Sequence, residues 1–453
     1  MKKTNYLIYG LAKSGKAAFE LLYNKKDVFY LYDEDGEKRK FFIKNSSCQQ
    51  NVFVLKSVDK TIIDGVDKII LSPGFSIYLP TLQYAKTKGV EIISELELGF
   101  RYSKNKIIAI TGTNGKTTTV SLLDNIFKCA HKNSQVVGNI GYPISGFVKK
   151  NKKAVLICEV SSFQLETIKD FKPNYAGILN LTPDHINRHK SFKNYKRTKF
   201  KIFKNLTKNN KIVLNENIKF ENKNNLKVYT FGFNECKNGC FVKENKFYFA
   251  NNNKIEEICD ISLTKLMGKH NLENIMACIC FAKFFKIKNK YIIKALQNFK
   301  PISHRIEKVY EINNICFYDD SKSTNIDSTL KAIQSFKKET FLILGGSDKG
   351  FNFDDIFKNL NKNITKIFAC GEVSSKIVES AKKFNYVVNS YKTLRDATFA
   401  ACNLLKPNQN LLLSPATASF DEFKNYKDRG EKFLIYVKEF YEKWFKKSKK
   451  PCN

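Results

Sequence analysis

No stretch of this 453-residue sequence reaches ~18 consecutive apolar residues, which excludes a membrane-spanning helix. The opening "MKKTNYLIYGLAKSGKAAF" breaks its apolar run at Gly10 and Lys13, too early for a signal-peptide core, and reads as a first strand. Its twelve cysteines include no CxxC pair. Cys236 and Cys240, and Cys278 and Cys280, have no histidines at ligand spacing, so a zinc site is not indicated and a reduced cytoplasmic protein is expected. Arginine is confined to Arg39, Arg101, Arg188, Arg197, Arg305, Arg395 and Arg429, and no RNA-binding aromatic signature or repeat occurs. The formal charge of +35 is therefore almost all lysine. Base readers favour arginine, so no nucleic-acid partner is expected. Lysine-rich stretches such as "KNYKRTKFKIFKN" read as solvated helix faces, and the positive field suits attraction of a polyanionic substrate.

What is present is alternation. Short apolar strands ("NYLIYG", "VFYLYD", "KIILSPG", "VEIISE", "AVLICEV", "AGILNLT", "ICFYDD", "TFLILGG", "NLLLSPA") alternate with helical patterns, including a first helix from about Lys16. This predicts an α/β chain of mostly parallel sheets flanked by helices. "KVYTFGF" and "CFVKENKFYFA" read as hairpin strands of a small appended sheet. Boundaries fall near residues 95 and 301, giving domains 1–94, 95–300 and 301–453. Chemically capable residues recur just past predicted strand ends: Gly10, Asp33, Gly74, Lys116, Glu159, His185, Asp320, Lys349 and Ser419. In doubly wound sheets ligands bind at that edge.

The stretch "IIAITGTNGKTTTV" resembles a phosphate-binding loop two residues short of G-x-x-x-x-G-K-[ST]. Its glycines permit close backbone approach, and the following helix start presents free N–H groups to an anion. Lys116 can reach outer phosphates and Thr117 can ligate magnesium. Glu159 ends a buried strand, where a carboxylate is expensive without a cation. His185 follows another strand, and a lone histidine is more often structural. Lys199 says nothing by spacing. "GLAKSG" is a weak dinucleotide-type turn, with Ala12 at its middle glycine, and Asp33 could accept a ribose hydroxyl.

In order along the chain stand "GTNGKTT", "GNIG", "EVSSFQLE", "LTPDHINRH", "GKHNLEN", "SHRIE", "YDDSKSTN", "GGSDKGFNF" and "SPATASFDEFKNYKDRG". Together they resemble the Mur ligases of peptidoglycan synthesis, from Tyr6 to about Phe433. The short loop is that family's own version. "DDSKSTN" and "SPATASFDEF" are similar to its D-glutamate-adding branch.

The resemblance implies a Rossmann-like UDP-substrate domain, a P-loop ATPase-like central domain and a Rossmann-like C-terminal domain for amino acid and nucleotide. It implies an ATP-dependent ligase working through an acyl phosphate, with UDP-N-acetylmuramoyl-L-alanine and D-glutamate as substrates, in a cytoplasmic monomer without membrane insertion. Domain closure is expected. Gly112, Thr113, Asn114, Gly115, Lys116, Thr117 and Thr118 would hold ATP, with Asn271, Arg305, Asp320 and Lys322. Two magnesium ions would draw on Thr117, Glu159, His185 and a carbamoylated Lys199. Lys116, His185 and Lys199 would be catalytic. Gly10, Ser14, Gly15, Asp33, Ser72 and Gly74 would cradle the uridine diphosphate, and Asn139 would meet the muramoyl part. Thr324, Lys349, Ser419 and Tyr426 would take D-glutamate.

Three departures stand out: Ala12 for a glycine, Asn187 for an aspartate after "DH", and Tyr426 for a phenylalanine. A sibling amide ligase, another Mur ligase or folylpolyglutamate synthase, is the alternative inside the superfamily. A non-catalytic nucleotide or nucleic-acid binder is the alternative outside it.

Overall fold

The apolar runs become strands of three sheets in a computed structural model that describes residues 3–46, 50–148, 153–300 and 303–448. The first sheet holds β1 (Asn5–Tyr9), β2 (Val28–Tyr32), β3 (Val52–Val54), β4 (Lys68–Leu71) and β5 (Glu91–Ser94), in the order β3-β2-β1-β4-β5. All its pairings are parallel. The strand order reverses between β1 and β4, and in such sheets a ligand crevice opens at that point. The first helix, Lys13–Leu22, starts three residues before the expected Lys16.

The second sheet contains β6 (Ile107–Thr111), β7 (Ser134–Gly138), β8 (Val155–Glu159), β9 (Tyr175–Ile178), β10 (Lys211–Asn215), β11 (Lys227–Gly232), β12 (Gly239–Lys243), β13 (Lys246–Asn251) and β14 (Lys254–Asp260). Its order is β14-β13-β12-β11-β10-β9-β6-β8-β7. The expected hairpin is β12–β13, but it does not form a separate sheet. β12 pairs parallel with the edge of β11 through Thr230–Gly239 to Gly232–Phe241, so the antiparallel ribbon prolongs the main sheet. β11 is a parallel strand beside β10, not part of a hairpin.

The third sheet has β15 (Glu307–Ile312), β16 (Ile315–Asp319), β17 (Thr340–Gly345), β18 (Ile364–Cys370), β19 (Val388–Tyr391) and β20 (Asn410–Leu413), ordered β15-β16-β20-β17-β18-β19. Only β15 runs antiparallel, at one edge. Central strands buried on both faces lose polar alternation, which is why β6, β17 and β20 read as unbroken apolar runs. The edge strand β15 is only partly buried and gave a weaker signal.

The chain thus has three domains of helix-flanked sheets. It divides into two compact units, Met1–Thr264 with Glu273–Phe299, and Lys265–Leu272 with Lys300–Asn453. Within the first unit one core runs from Ile8 and Phe29 of the first sheet through Ile144 and Phe147 to Ala109 and Leu156 of the second. The boundary expected near residue 301 falls outside the described residues. No helix among the described residues is long and apolar enough to cross a membrane. The ten described cysteines are unpaired.

Candidate active site

At the turn after β6, Gly115 takes φ +84° as the residue before the helix Lys116–Cys129. A Cβ there would lie 2.3 Å from the Asn274 Oδ1, so both backbone and packing demand glycine. The turn is tied to the loop after β9. Thr113 Oγ1 donates to the Thr182 carbonyl at 3.1 Å and accepts from the Thr182 N–H and the Tyr195 hydroxyl, each at 3.1 Å. The Asn114 N–H donates to Asn180 Oδ1 at 2.8 Å. Lys116 Nζ folds over its own loop, donating to the carbonyls of Gly112 and Thr113 at 2.8 Å each.

Glu159, the last residue of β8, is 1% exposed. Thr117 Oγ1 donates to its Oε2 at 2.9 Å, and Asn139 Nδ2 donates to its Oε1 at 2.8 Å. A buried carboxylate served only by neutral donors at a helix N-terminus is a hard-oxygen set suited to magnesium. Among the described residues no three or more His, Cys, Asp or Glu gather into a metal cage. Magnesium takes one or two carboxylates and completes its shell with phosphate oxygens and water. Asp184 is buried, and His185 stands 3.7 Å from it with φ +52°, a left-handed conformation uncommon for a residue with a Cβ.

Lys199 corrects the reading of its stretch as a solvated face. In the helix Phe192–Phe200 it lies four residues after Tyr195, so both turn inward on one face. Its side chain is fully buried, with Nζ donating to Gly112 O at 2.9 Å and to Thr111 Oγ1 at 3.2 Å. Lys116 and Lys199 therefore share one carbonyl. Burial, and then the Lys116 charge, push the Lys199 ammonium well below the ordinary lysine value. The charges of Asp184 and Glu159 oppose that shift.

Past β1, β2 and β4 a cavity of about 550 Å³ is lined by Gly10, Ala12, Ser14, Asp33, Lys38, Ser72, Gly74 and Phe75, among others. Asp33 Oδ2 accepts the Leu11 N–H at 2.7 Å, so this carboxylate also pins the glycine turn. Ser72 Oγ donates to the Gly10 carbonyl at 3.0 Å. Gly15 packs on the turn, where a Cβ would fall 1.8 Å from the Gly10 oxygen.

The second unit carries its own cluster past β16, β17 and β20. Asp320 is buried, accepts from Ser414 Oγ at 2.7 Å and from the Ile306 N–H at 3.2 Å, and is pushed up to about 7 by burial, with the Arg305 charge opposing. Lys349 Nζ donates to the Thr324 carbonyl at 3.3 Å, and Lys322 Nζ lies 5.4 Å from the Tyr426 ring centroid. Asn271 Nδ2 donates to the Met267 carbonyl at 2.7 Å. Ser419 is buried. Arg429, given no role by sequence reasoning, is 2% exposed and draws the three loops together. It donates to Ser321, to the Gly345 carbonyl and to the carbonyls of Thr417 and Ala418 at 3.0–3.3 Å.

Sequence reasoning also passed over Glu166, Arg188 and His189, although "SSFQLE" and "DHINRH" contain them. His189 Nε2 lies 3.0 Å from Ser162 Oγ, and burial lowers the ring to about 4, with the His185 and Arg188 charges adding to it. The signal was there in the motifs, but spacing alone does not assign partners.

The chain matches three family descriptions: the Mur ligase MurD-like N-terminal domain over residues 4–94, the Mur ligase middle domain over 110–282, and the Mur ligase glutamate ligase domain over 304–417. It is 39% identical over 449 residues to a UDP-N-acetylmuramoylalanine–D-glutamate ligase of Thermoanaerobacter sp., covering 97% of this chain and 99% of that one. A ligase of the same name from Caldicellulosiruptor bescii is 37% identical over 451 residues, covering 97% and 98%. Among solved structures, a MurF of Acinetobacter baumannii aligns with TM-score 0.62 at 16% identity, covering 96% of this chain and 93% of its own. The UDP-N-acetylmuramate-alanine ligase MurC of Thermotoga maritima aligns with TM-score 0.59 at 18% identity, covering 98% and 100%. At those identities the structural likeness speaks to the fold alone.

Proposed function

The chain belongs to the Mur ligase family, and from that premise we propose that it joins D-glutamate to UDP-N-acetylmuramoyl-L-alanine at the expense of ATP. The observation that carries this reading is the phosphate loop tied to Glu159 through Thr117 and to the loop after β9 through Thr113 and Thr182, with two lysines on one carbonyl.

A carboxylate is a poor electrophile because its oxygen is a poor leaving group. In this reading the L-alanyl carboxylate attacks the γ-phosphorus of ATP, and ADP leaves. The D-glutamate amine then attacks the carbonyl carbon, inorganic phosphate leaves, and the nitrogen loses a proton as the amide forms. Little covalent chemistry falls to the protein, so positioning and charge neutralisation carry the rate.

Lys116 exchanges its loop carbonyls for the outer phosphate oxygens, and the free N–H groups from Gly115 onward face the same anion. Thr117 and Glu159 suit one magnesium ion, and His185 with carbamoylated Lys199 a second. Magnesium held there would neutralise phosphate charge. Lys199 suits carbamoylation because burial eases loss of a proton from its ammonium, and the resulting amine can add to carbon dioxide and release a second proton, leaving an anionic oxygen ligand. Lys199→Ala is expected to abolish turnover, with partial rescue by short carboxylates; unimpaired turnover would refute the role.

Asn271, Arg305, Asp320 and Lys322 hold the adenine nucleotide. Thr324, Lys349, Ser419 and Tyr426 take D-glutamate, Lys349 pairing with a carboxylate. Gly10, Ser14, Gly15, Asp33, Ser72 and Gly74 cradle the uridine diphosphate, and Asn139 meets the muramoyl part. The similarity to named D-glutamate ligases over nearly the full chain supports this choice over sibling ligases.

The deciding experiment is phosphate release by the purified protein with each nucleotide-muramoyl precursor against a panel of D- and L-amino acids. Release is expected only with the L-alanyl precursor and D-glutamate. Release with another pair instead would overturn the assignment.

A further inference from the structure

Arg188 has no part in the reaction as argued above, yet its side chain is only 11% exposed. Nε and Nη2 hold the two oxygens of Glu166 at 3.1 and 2.7 Å. The other contacts reach the first sheet: Nη1 donates to the Pro73 carbonyl at 2.9 Å and Nη2 to the Phe75 carbonyl at 2.7 Å. The Phe163 ring centroid lies 4.0 Å from the guanidinium carbon, and the same ring meets the His185 ring edge-on at 4.8 Å. Between the two clamped carbonyls sits Gly74, which lines the cavity and has nothing within 4 Å of where a Cβ would be.

The guanidinium is a planar fork with donors enough for a carboxylate and two carbonyls at once. It stands three residues beyond His185, at the end of the short helix Ile186–His189. The loop Ser72–Ser76 and the turn carrying Asp184 and His185 are thus joined through one rigid side chain.

We propose that Arg188 is a positioning residue that fixes the cavity loop Ser72–Ser76 relative to the Asp184–His185 turn, and so sets how far a nucleotide-linked acyl group reaches toward the phosphate loop. This rests on the reading of the cavity as the nucleotide end of the acyl substrate. A long substrate anchored at one end reacts at the other, and there a misplacement of about 1 Å costs on the order of 100-fold in rate.

Arg188→Lys keeps the charge but cannot span both carbonyls and Glu166. It is to be compared with the parent enzyme in turnover, in KM for ATP, in affinity for UDP alone and in amide hydrogen exchange. We expect kcat to fall at least roughly tenfold while UDP affinity and KM for ATP stay within about twofold. Exchange over residues 72–76 is expected to accelerate. Unchanged kcat with unchanged exchange would overturn the proposal. So would a loss of UDP affinity, ATP affinity and kcat together, the mark of general loosening. The double variant Arg188→Ala with Glu166→Gln, which leaves no buried carboxylate uncompensated, is expected to repeat the pattern. If the parent itself releases no phosphate, the functional reading fails, and the exchange comparison still decides whether Arg188 holds the loop.

Discussion

Glu95 is a buried carboxyl whose Oε1 accepts the Ser145 N–H at 2.7 Å and the Ser145 hydroxyl at 2.6 Å, and burial pushes it up to about 7. Because its folded value lies above the ordinary 4.5, the folded state binds more protons between those values. Its stabilising contribution is therefore complete below pH 4.5 and lost as pH rises through about 7. Asp320 adds a fall of the same sign. Glu95→Gln keeps an acceptor for Ser145 and cannot ionise. Thermal unfolding from pH 5 to 8 should show the parent losing stability relative to this variant, by up to roughly 3 kcal/mol. Parallel curves would refute the burial argument. Lys349 makes a different kind of claim. If it pairs with a carboxylate of the incoming amino acid, Lys349→Ala should raise KM for D-glutamate roughly tenfold and leave KM for ATP within about twofold. Initial rates at varied substrate concentrations decide it.

Among the elements, the strand–turn–helix around Gly115 joins local conformation to chemistry most directly. The left-handed backbone at Gly115 lets the helix Lys116–Cys129 begin with its N–H groups aimed past the strand edge. Gly115→Ala would meet both an unfavourable φ and the Asn274 side chain. It is expected to cost about 1–3 kcal/mol of stability and to weaken nucleotide binding beyond that loss. Denaturant unfolding and calorimetry with a non-hydrolysable ATP analogue measure the two effects separately. A neighbouring element shows the limit of local patterns. The helix Phe192–Phe200 is lysine-rich and polar on average, yet it buries Tyr195 and Lys199 at i and i+4. Composition describes the face that meets water; the two inward residues are found only by knowing what the helix packs on.

Over the whole molecule, the net charge of +35 is a field felt by each polyanionic substrate. Raising potassium chloride from about 50 to about 500 mM should raise KM for the nucleotide substrates several-fold and for D-glutamate less, because screening acts in proportion to ligand charge. Equal shifts would mean that the field has no steering role.

The alternation of apolar strands with helices, the glycine turns and the polar residues past strand ends were legible in sequence, because each depends on neighbours a few positions away; the order of strands within each sheet was not. The family resemblance added roles for Lys199 and Asn139, which spacing alone does not single out. Three further things were decided by tertiary structure alone. One is the continuation of β12–β14 in the second sheet, since an edge strand chooses its partner by what lies beside it. Another is the downward shift of the Lys199 ammonium, because desolvation depends on the surrounding packing. The last is the gathering of loops by Arg188 and Arg429, each with partners about a hundred positions away, where no periodicity carries a signal.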